Sequence, residues 1–273
     1  MTTPIERPAD KRALLHALLD DLAAESADLD SRVAPLDDSG WATPTPAAGW
    51  DVRDTVNHLA ATDEDALLAL TDRAGFQALL GRLLAGSAEQ HVERLVAQRR
   101  ALPPADVLAR WRAGRDALQT ALHAADPGTR VPWFGPPMSP ASFVTARLME
   151  TWAHGQDVAD ALGQQRPATA RLRAVAEIGV RARPYSYAAH GRPTPDAPAR
   201  VELTGPAGEA WSWGPQDAAD VVRGPALDFC LLVTQRRHRD DLALEAQGQY
   251  ASEWLGIAQA FAGPPGTGRE PQR

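Results

Sequence analysis

Apolar residues recur at helical intervals through most of the first 165 positions and alternate with polar ones in short runs beyond residue 199. Leu14, Leu15, Leu18, Leu19, Leu22 and Leu29 follow the three-to-four spacing of an amphipathic helix. They predict one that starts after Asp10 and runs to about Val33, behind a frayed stretch over residues 1–9. Pro35 ends it, and a loop rich in Pro, Gly and Trp spans Asp37 to Trp50. Asp51 is a good N-cap for a second helix, about Val52 to Thr71, whose stripe is Val52, Val56, Leu59, Asp63, Ala66 and Leu70. Residues 72–86 read as a loop or a short helix. Ser87-Ala88-Glu89-Gln90 resembles a capping box ahead of a helix ending near Ala101, and Pro103-Pro104 separates that helix from another over about Ala105 to Ala125. A further helix has Ser139 as N-cap and Pro140 at its first position, and ends at Gly163. An extended, aromatic-rich loop, Arg130 to Pro137, leads into it as a packing loop or a pocket wall.

The texture then changes. A helix over about Thr169 to Tyr187 precedes a Pro-rich link, Gly191 to Pro198. Arg200–Thr204 and Glu209–Trp213 alternate around Gly205-Pro206-Ala207-Gly208, the signature of a hairpin. Asp220–Arg223 predicts a third strand, Pro225–Gln235 a buried helix, Asp241–Ala246 a fourth strand and Ala251–Phe261 a closing helix. The fold class is therefore α+β: a helical domain over 1–165, a smaller α+β domain over 166–262, and a disordered tail over 263–273.

Composition narrows the function. Hydrophobic content of 44% in 273 residues supports a real core, and a formal charge of −7 without a basic block argues against nucleic acid as a partner. No window approaches the 18 or so apolar residues of a membrane span, and the N-terminus shows no secretory pattern, which leaves the cytoplasm as the expected compartment. The single cysteine, Cys230, lies in an apolar run and reads as a buried structural thiol. Of 28 basic residues only Lys11 is lysine, a bias that points to a GC-rich, actinobacterial genome.

The candidate chemistry lies on the helix that ends at Gly163. Phe143, Arg147, Glu150, His154 and Asp157 share one face, between apolar residues on either side. An exposed charged seam or a buried metal-binding seam accounts for that line equally well. Glu150 and His154, one turn apart, are spaced to hold one ion. His58 is the candidate third ligand; it falls about 120° from the centre of its helix's apolar stripe, beside Thr55, Thr62 and Asp65, which suits either a polar cleft or open solvent.

Trp50-Asp51-Val52-Arg53-Asp54-Thr55-Val56-Asn57-His58-Leu59 resembles the W-x-V-R-D-x-x-x-H-L signature of the mycothiol-dependent maleylpyruvate isomerase N-terminal domain, a branch of the DinB/YfiT-like metal-binding bundles. Glu150-x-x-x-His154, followed by Gly155-Gln156-Asp157-Val158-Ala159, resembles the family's second metal segment, and Gly224 to Arg236 resembles a helix of the sterol-carrier-like domain often attached to it. The resemblance implies a four-helix bundle holding a divalent metal, usually zinc, on His58, Glu150 and His154. Many DinB-like relatives use three histidines; here Glu150 replaces one. It further implies a thiol cofactor, mycothiol, and a small electrophilic, carboxylate-bearing substrate, undergoing isomerisation or S-transfer. Arg236 matches a position that clamps a substrate carboxylate. Asp157 is the candidate to orient His154, and Arg147 to pair with Glu150 or bind an anionic substrate. A thiol-independent hydrolase, lyase or cyclase, or a non-catalytic metal- or ligand-binding protein, stands as the alternative. The oligomeric state is left open.

Overall fold

The computed structural model describes residues 8–83, 88–266 and 268–272. The chain divides into two compact units, Met1–Gln165 and Arg166–Arg273.

In the first unit α1 (Pro8–Val33) begins two residues ahead of the cap expected at Asp10. The expected loop after it contains a single helical turn, α2 (Asp38–Trp41), capped by Asp37 and anchored by the buried Trp41. Next come α3 (Val52–Thr71), α4 (Arg73–Leu83), α5 (Ala88–Arg99), α6 (Pro104–Ala124) and α7 (Pro140–Ala161). The capping box expected at Ser87 lies outside the described residues.

Four of these helices close a ring: α1 packs on α7 and α6, and α3 on the same two, while α4 and α5 lie against α3. Leu29, Val33, Val52, Val56, Leu59, Val107, Trp111 and Val158 fill the centre. α3 and α7 each bury polar as well as apolar residues. Thr55, Thr62 and Asp65, flankers of His58 that suggested a cleft edge, are among them.

Local signals fix where the two helices start and stop. Asp51 and Asp54 form a reciprocal capping box at the start of α3. Ser139 caps α7. At the other end of α7 Gly163 adopts φ +62°, and the Gly163 and Gln164 N–H groups return to the carbonyls of Asp160 and Ala159 in a Schellman motif. The aromatic loop is pinched by a bridge between Val131 and Met138, and its Trp133 and Phe134 pack on Phe76 and Phe143.

The second unit opens with α8 (Leu172–Arg181) and α9 (Arg183–Ala189) where one helix over 169–187 was expected. Pro184, which has no N–H to continue the ladder, sits in the first turn of α9 and breaks the run. The sheet is β1 (Ala199–Thr204), β2 (Ala210–Trp213), β3 (Asp220–Pro225) and β4 (Glu245–Gln247), in the order β2-β1-β3-β4. The hairpin β1–β2 is antiparallel as expected, with Leu203 opposite Trp211. β1 and β3 run parallel, with Val201 opposite Val222. The fourth strand falls later than expected because a short 3-10 turn, Arg239–Asp241, occupies the start of that segment. Between β3 and β4 lies α10 (Ala226–Val233), which packs on the sheet and on α8; α11 (Gln249–Leu255) stops at Gly256, short of the expected Phe261. In the segment read as a disordered tail, the Gly263 N–H donates to the Tyr185 hydroxyl, and the Gln272 N–H to Asp241.

Candidate metal centre

The α3–α7 contact brings His58 against Glu150 and His154. One ligand atom from each residue can be chosen so that all three lie within 4.8 Å of one another. Glu150 Oε2 lies 3.5 Å from His58 Nε2 and 3.5 Å from His154 Nε2. The imidazole centroids are 4.4 Å apart.

Those separations bear on two arrangements. A direct N–H···O bond has its mode near 2.9 Å, so 3.5 Å is long for one. Two ligands about 2.0–2.1 Å from a shared tetrahedral ion stand roughly 3.3–3.4 Å apart. The donor set, two imidazoles and a carboxylate, is one that divalent zinc takes, with a position left for a further ligand. The chain's own geometry thus fits a metal.

The protonation states fit as well. Burial first, and then the neighbouring His154, push the His58 imidazole down to about 4 against the opposing pull of Glu150. Burial alone would raise Glu150, but contacts with His154 and His58 outweigh it and hold the carboxyl well below the usual range. At neutral pH these are an uncharged imidazole and an ionised carboxylate, the forms that bind metal.

The surrounding residues make the two histidines unequal. Asp157, buried on α7, lies 3.2 Å from Nδ1 of His154 and is placed to keep the proton on that nitrogen, leaving Nε2 for Glu150's side of the site. Nδ1 of His58 is buried without a hydrogen-bond partner among the described residues. Trp50, the residue before the α3 cap, lays its ring against both imidazoles, 5.2 Å from His58 and 6.1 Å from His154. Its W-x-V-R-D context marked the segment in the sequence, but nothing in the spacing tied the ring to the histidines.

The other candidates take different places. The seam through Phe143, Arg147 and Asp157 is buried, not exposed. Arg147 does not pair with Glu150. Its Nε and Nη2 donate to Asp63 at 3.1 and 2.8 Å, and Nη2 donates to the Thr62 hydroxyl at 2.9 Å. That hydroxyl in turn donates to the carbonyl of His58, so Arg147 braces α7 to the turn that carries the histidine. Asp63, the odd member of the α3 stripe, is its counter-ion. Arg236 stands in the second unit just past α10, with Nη1 donating to the Thr234 carbonyl.

Residues 22–159 match the family profile described as the mycothiol maleylpyruvate isomerase N-terminal domain, and residues 195–247 match the profile described as wyosine base formation. The uncharacterized protein Rv0036c of Mycobacterium tuberculosis H37Rv is 53% identical over 249 residues, spanning 91% of this chain and 96% of its own; MT0041 of strain CDC 1551 gives the same figures. These mycobacterial relatives agree with the origin read from the arginine bias. Among solved structures, the mycothiol-dependent maleylpyruvate isomerase superposes with a TM-score of 0.57 at 16% identity, over 85% of this chain and 92% of its own. A histidine-to-alanine mutant of that enzyme gives 0.59 at 14% over the same shares. At such identity the likeness is one of fold.

Proposed function

The chain belongs to the family of the mycothiol maleylpyruvate isomerase N-terminal domain, and from that premise we propose that it is a divalent-metal-dependent enzyme. It uses a low-molecular-weight thiol, mycothiol, for isomerisation or S-transfer on a small electrophilic, carboxylate-bearing substrate, the thiol adding through its sulfur. The observation that carries this reading is the convergence of His58, Glu150 and His154 on one point, with a spacing suited to shared ligation.

His58, Glu150 and His154 would hold the ion, with zinc the first choice for two imidazoles and a carboxylate. When bound, the ion supplies Lewis acidity that favours thiolate over thiol, and the thiol supplies a nucleophile whose reversible addition permits isomerisation or S-transfer. The chain's own residues do the rest. Asp157 orients His154 and holds its Nδ1 proton. Arg147, locked on Asp63, fixes the separation of the two helices. The Trp50 ring walls one side of the site.

Two measurements test the reading. Metal content by mass spectrometry is expected to fall from near one ion per chain to near zero in His58→Ala and in Glu150→Ala; unchanged content in both would sink the triad. In cobalt-substituted protein, mycothiol is expected to produce a sulfur-to-cobalt charge-transfer band. Metal present with no such band would favour thiol-independent hydrolase, lyase or cyclase chemistry.

A further inference from the structure

Trp50 is held more firmly than a loop residue needs to be. Its carbonyl accepts from both the N–H (2.8 Å) and the hydroxyl (3.1 Å) of Thr45, and its own N–H donates to Ala47 at 3.0 Å. Gly49, at φ +78°, makes the turn that aims it. Directly after it, Asp51 starts α3.

A residue in this position, just ahead of the cap, commonly packs on an apolar side chain in the second turn of its helix. The partner position here is Thr55, whose hydroxyl donates to Asp51 instead. The Trp50 ring goes further along the helix, to His58, and across to His154 on α7, near-parallel to the latter at 22°. Both ring partners are members of the triad. The ring is only half-buried, and its indole N–H meets no acceptor among the described residues. That N–H reaches the surface and is therefore open to a ligand oxygen.

We propose that Trp50 is a substrate-binding residue of this centre. Its indole face and N–H receive a flat, conjugated, oxygen-bearing group of the substrate beside His58, Glu150 and His154. The flat face offers stacking to a conjugated group, and the N–H offers one donor to a carbonyl or carboxylate oxygen. A saturated analogue of equal charge keeps its oxygens but loses the stacking. The inference rests on the triad being the reaction centre.

The test uses the full-length protein as purified, with nitrogen-15 in its tryptophan indoles. The chain has eight tryptophans and so up to eight indole cross-peaks; Trp50→Phe assigns that of Trp50, with Trp50→Leu as the substitute should the first variant fail to fold. Fumarate and succinate are titrated in turn, since they match in charge and length and differ in the flat double bond. Fumarate is expected to shift the Trp50 peak at a concentration roughly 5- to 10-fold lower than succinate. In the Trp50 variant, which lacks that peak, calorimetric titration is expected to show the two acids binding alike, with the metal retained. A Trp50 peak unmoved by fumarate, or moved equally by both acids, overturns the proposal. Loss of metal from a folded Trp50 variant overturns it too, because Trp50 would then support the triad and not the substrate. Failure of the metal reading shows separately, as unchanged metal content in the His58 and Glu150 variants.

Discussion

At the scale of single residues the two histidines differ in support, and the difference is testable. His154 has Asp157 behind it, whereas His58 has a buried Nδ1 without a partner among the described residues. Replacing the acceptor that orients a ligating histidine typically weakens metal affinity by roughly 10- to 100-fold. Asp157→Asn is therefore expected to lower the affinity for zinc by about that factor in a chelator competition, with near-native circular dichroism. Cys230 contrasts with the triad. It is buried, Sγ donates to the Leu172 carbonyl, and burial pushes the thiol well above its ordinary value, so the reactive thiolate is suppressed. Iodoacetamide is expected to leave Cys230 unmodified in the native protein and to alkylate it after denaturation, as read by intact mass.

At the scale of elements, α3 and α7 carry the site, and their placement depends on local caps and one buried brace. Asp51→Ala removes the side chain that accepts from the Asp54 N–H at 2.7 Å. Loss of such a cap costs about 1 kcal/mol, to be measured by urea denaturation. Arg147→Met is expected to cost more, about 3–5 kcal/mol, because it leaves the Asp63 carboxylate buried without the cation that is hydrogen-bonded to it. Adding Asp63→Asn to that variant should recover part of the loss; no recovery would mean that the arginine stabilises through packing and not through its ion pair. The extents of α3 and α7 were legible in the sequence because caps, first-turn proline and terminal glycine are local signals. The break between α8 and α9 was signalled by Pro184, but the continuous apolar pattern of the segment masked it. The 3-10 turn that delays β4 had no periodicity to announce it, since a three-residue turn is too short to show one.

At the scale of the whole molecule, an ion held by His58, Glu150 and His154 would tie together helices separated by 92 residues between His58 and Glu150. A ligand that binds only the folded state stabilises it by about 2.7 kcal/mol at one hundred times its dissociation constant. For a unit of this size that corresponds to a fall of roughly 5–10 °C in melting temperature when a chelator removes the metal. Calorimetry with and without chelator checks this, and His58→Ala should melt alike in both. The sequence by itself determined the two-part α+β layout, the bounds of α3 and α7, and the identity of the three candidate ligands. It did so because helical periodicity, capping and i, i+4 spacing act over a few residues, and because the W-x-V-R-D-x-x-x-H-L segment is recognisable as written. Tertiary structure alone decided that Arg147 and Asp157 of the charged line on α7 are buried, that Arg147 belongs to Asp63 and not Glu150, and that Trp50 faces His154 as well as His58. Each of those depends on groups far apart in the chain, and only the packing of α3 against α7 fixes the distances that choose among partners.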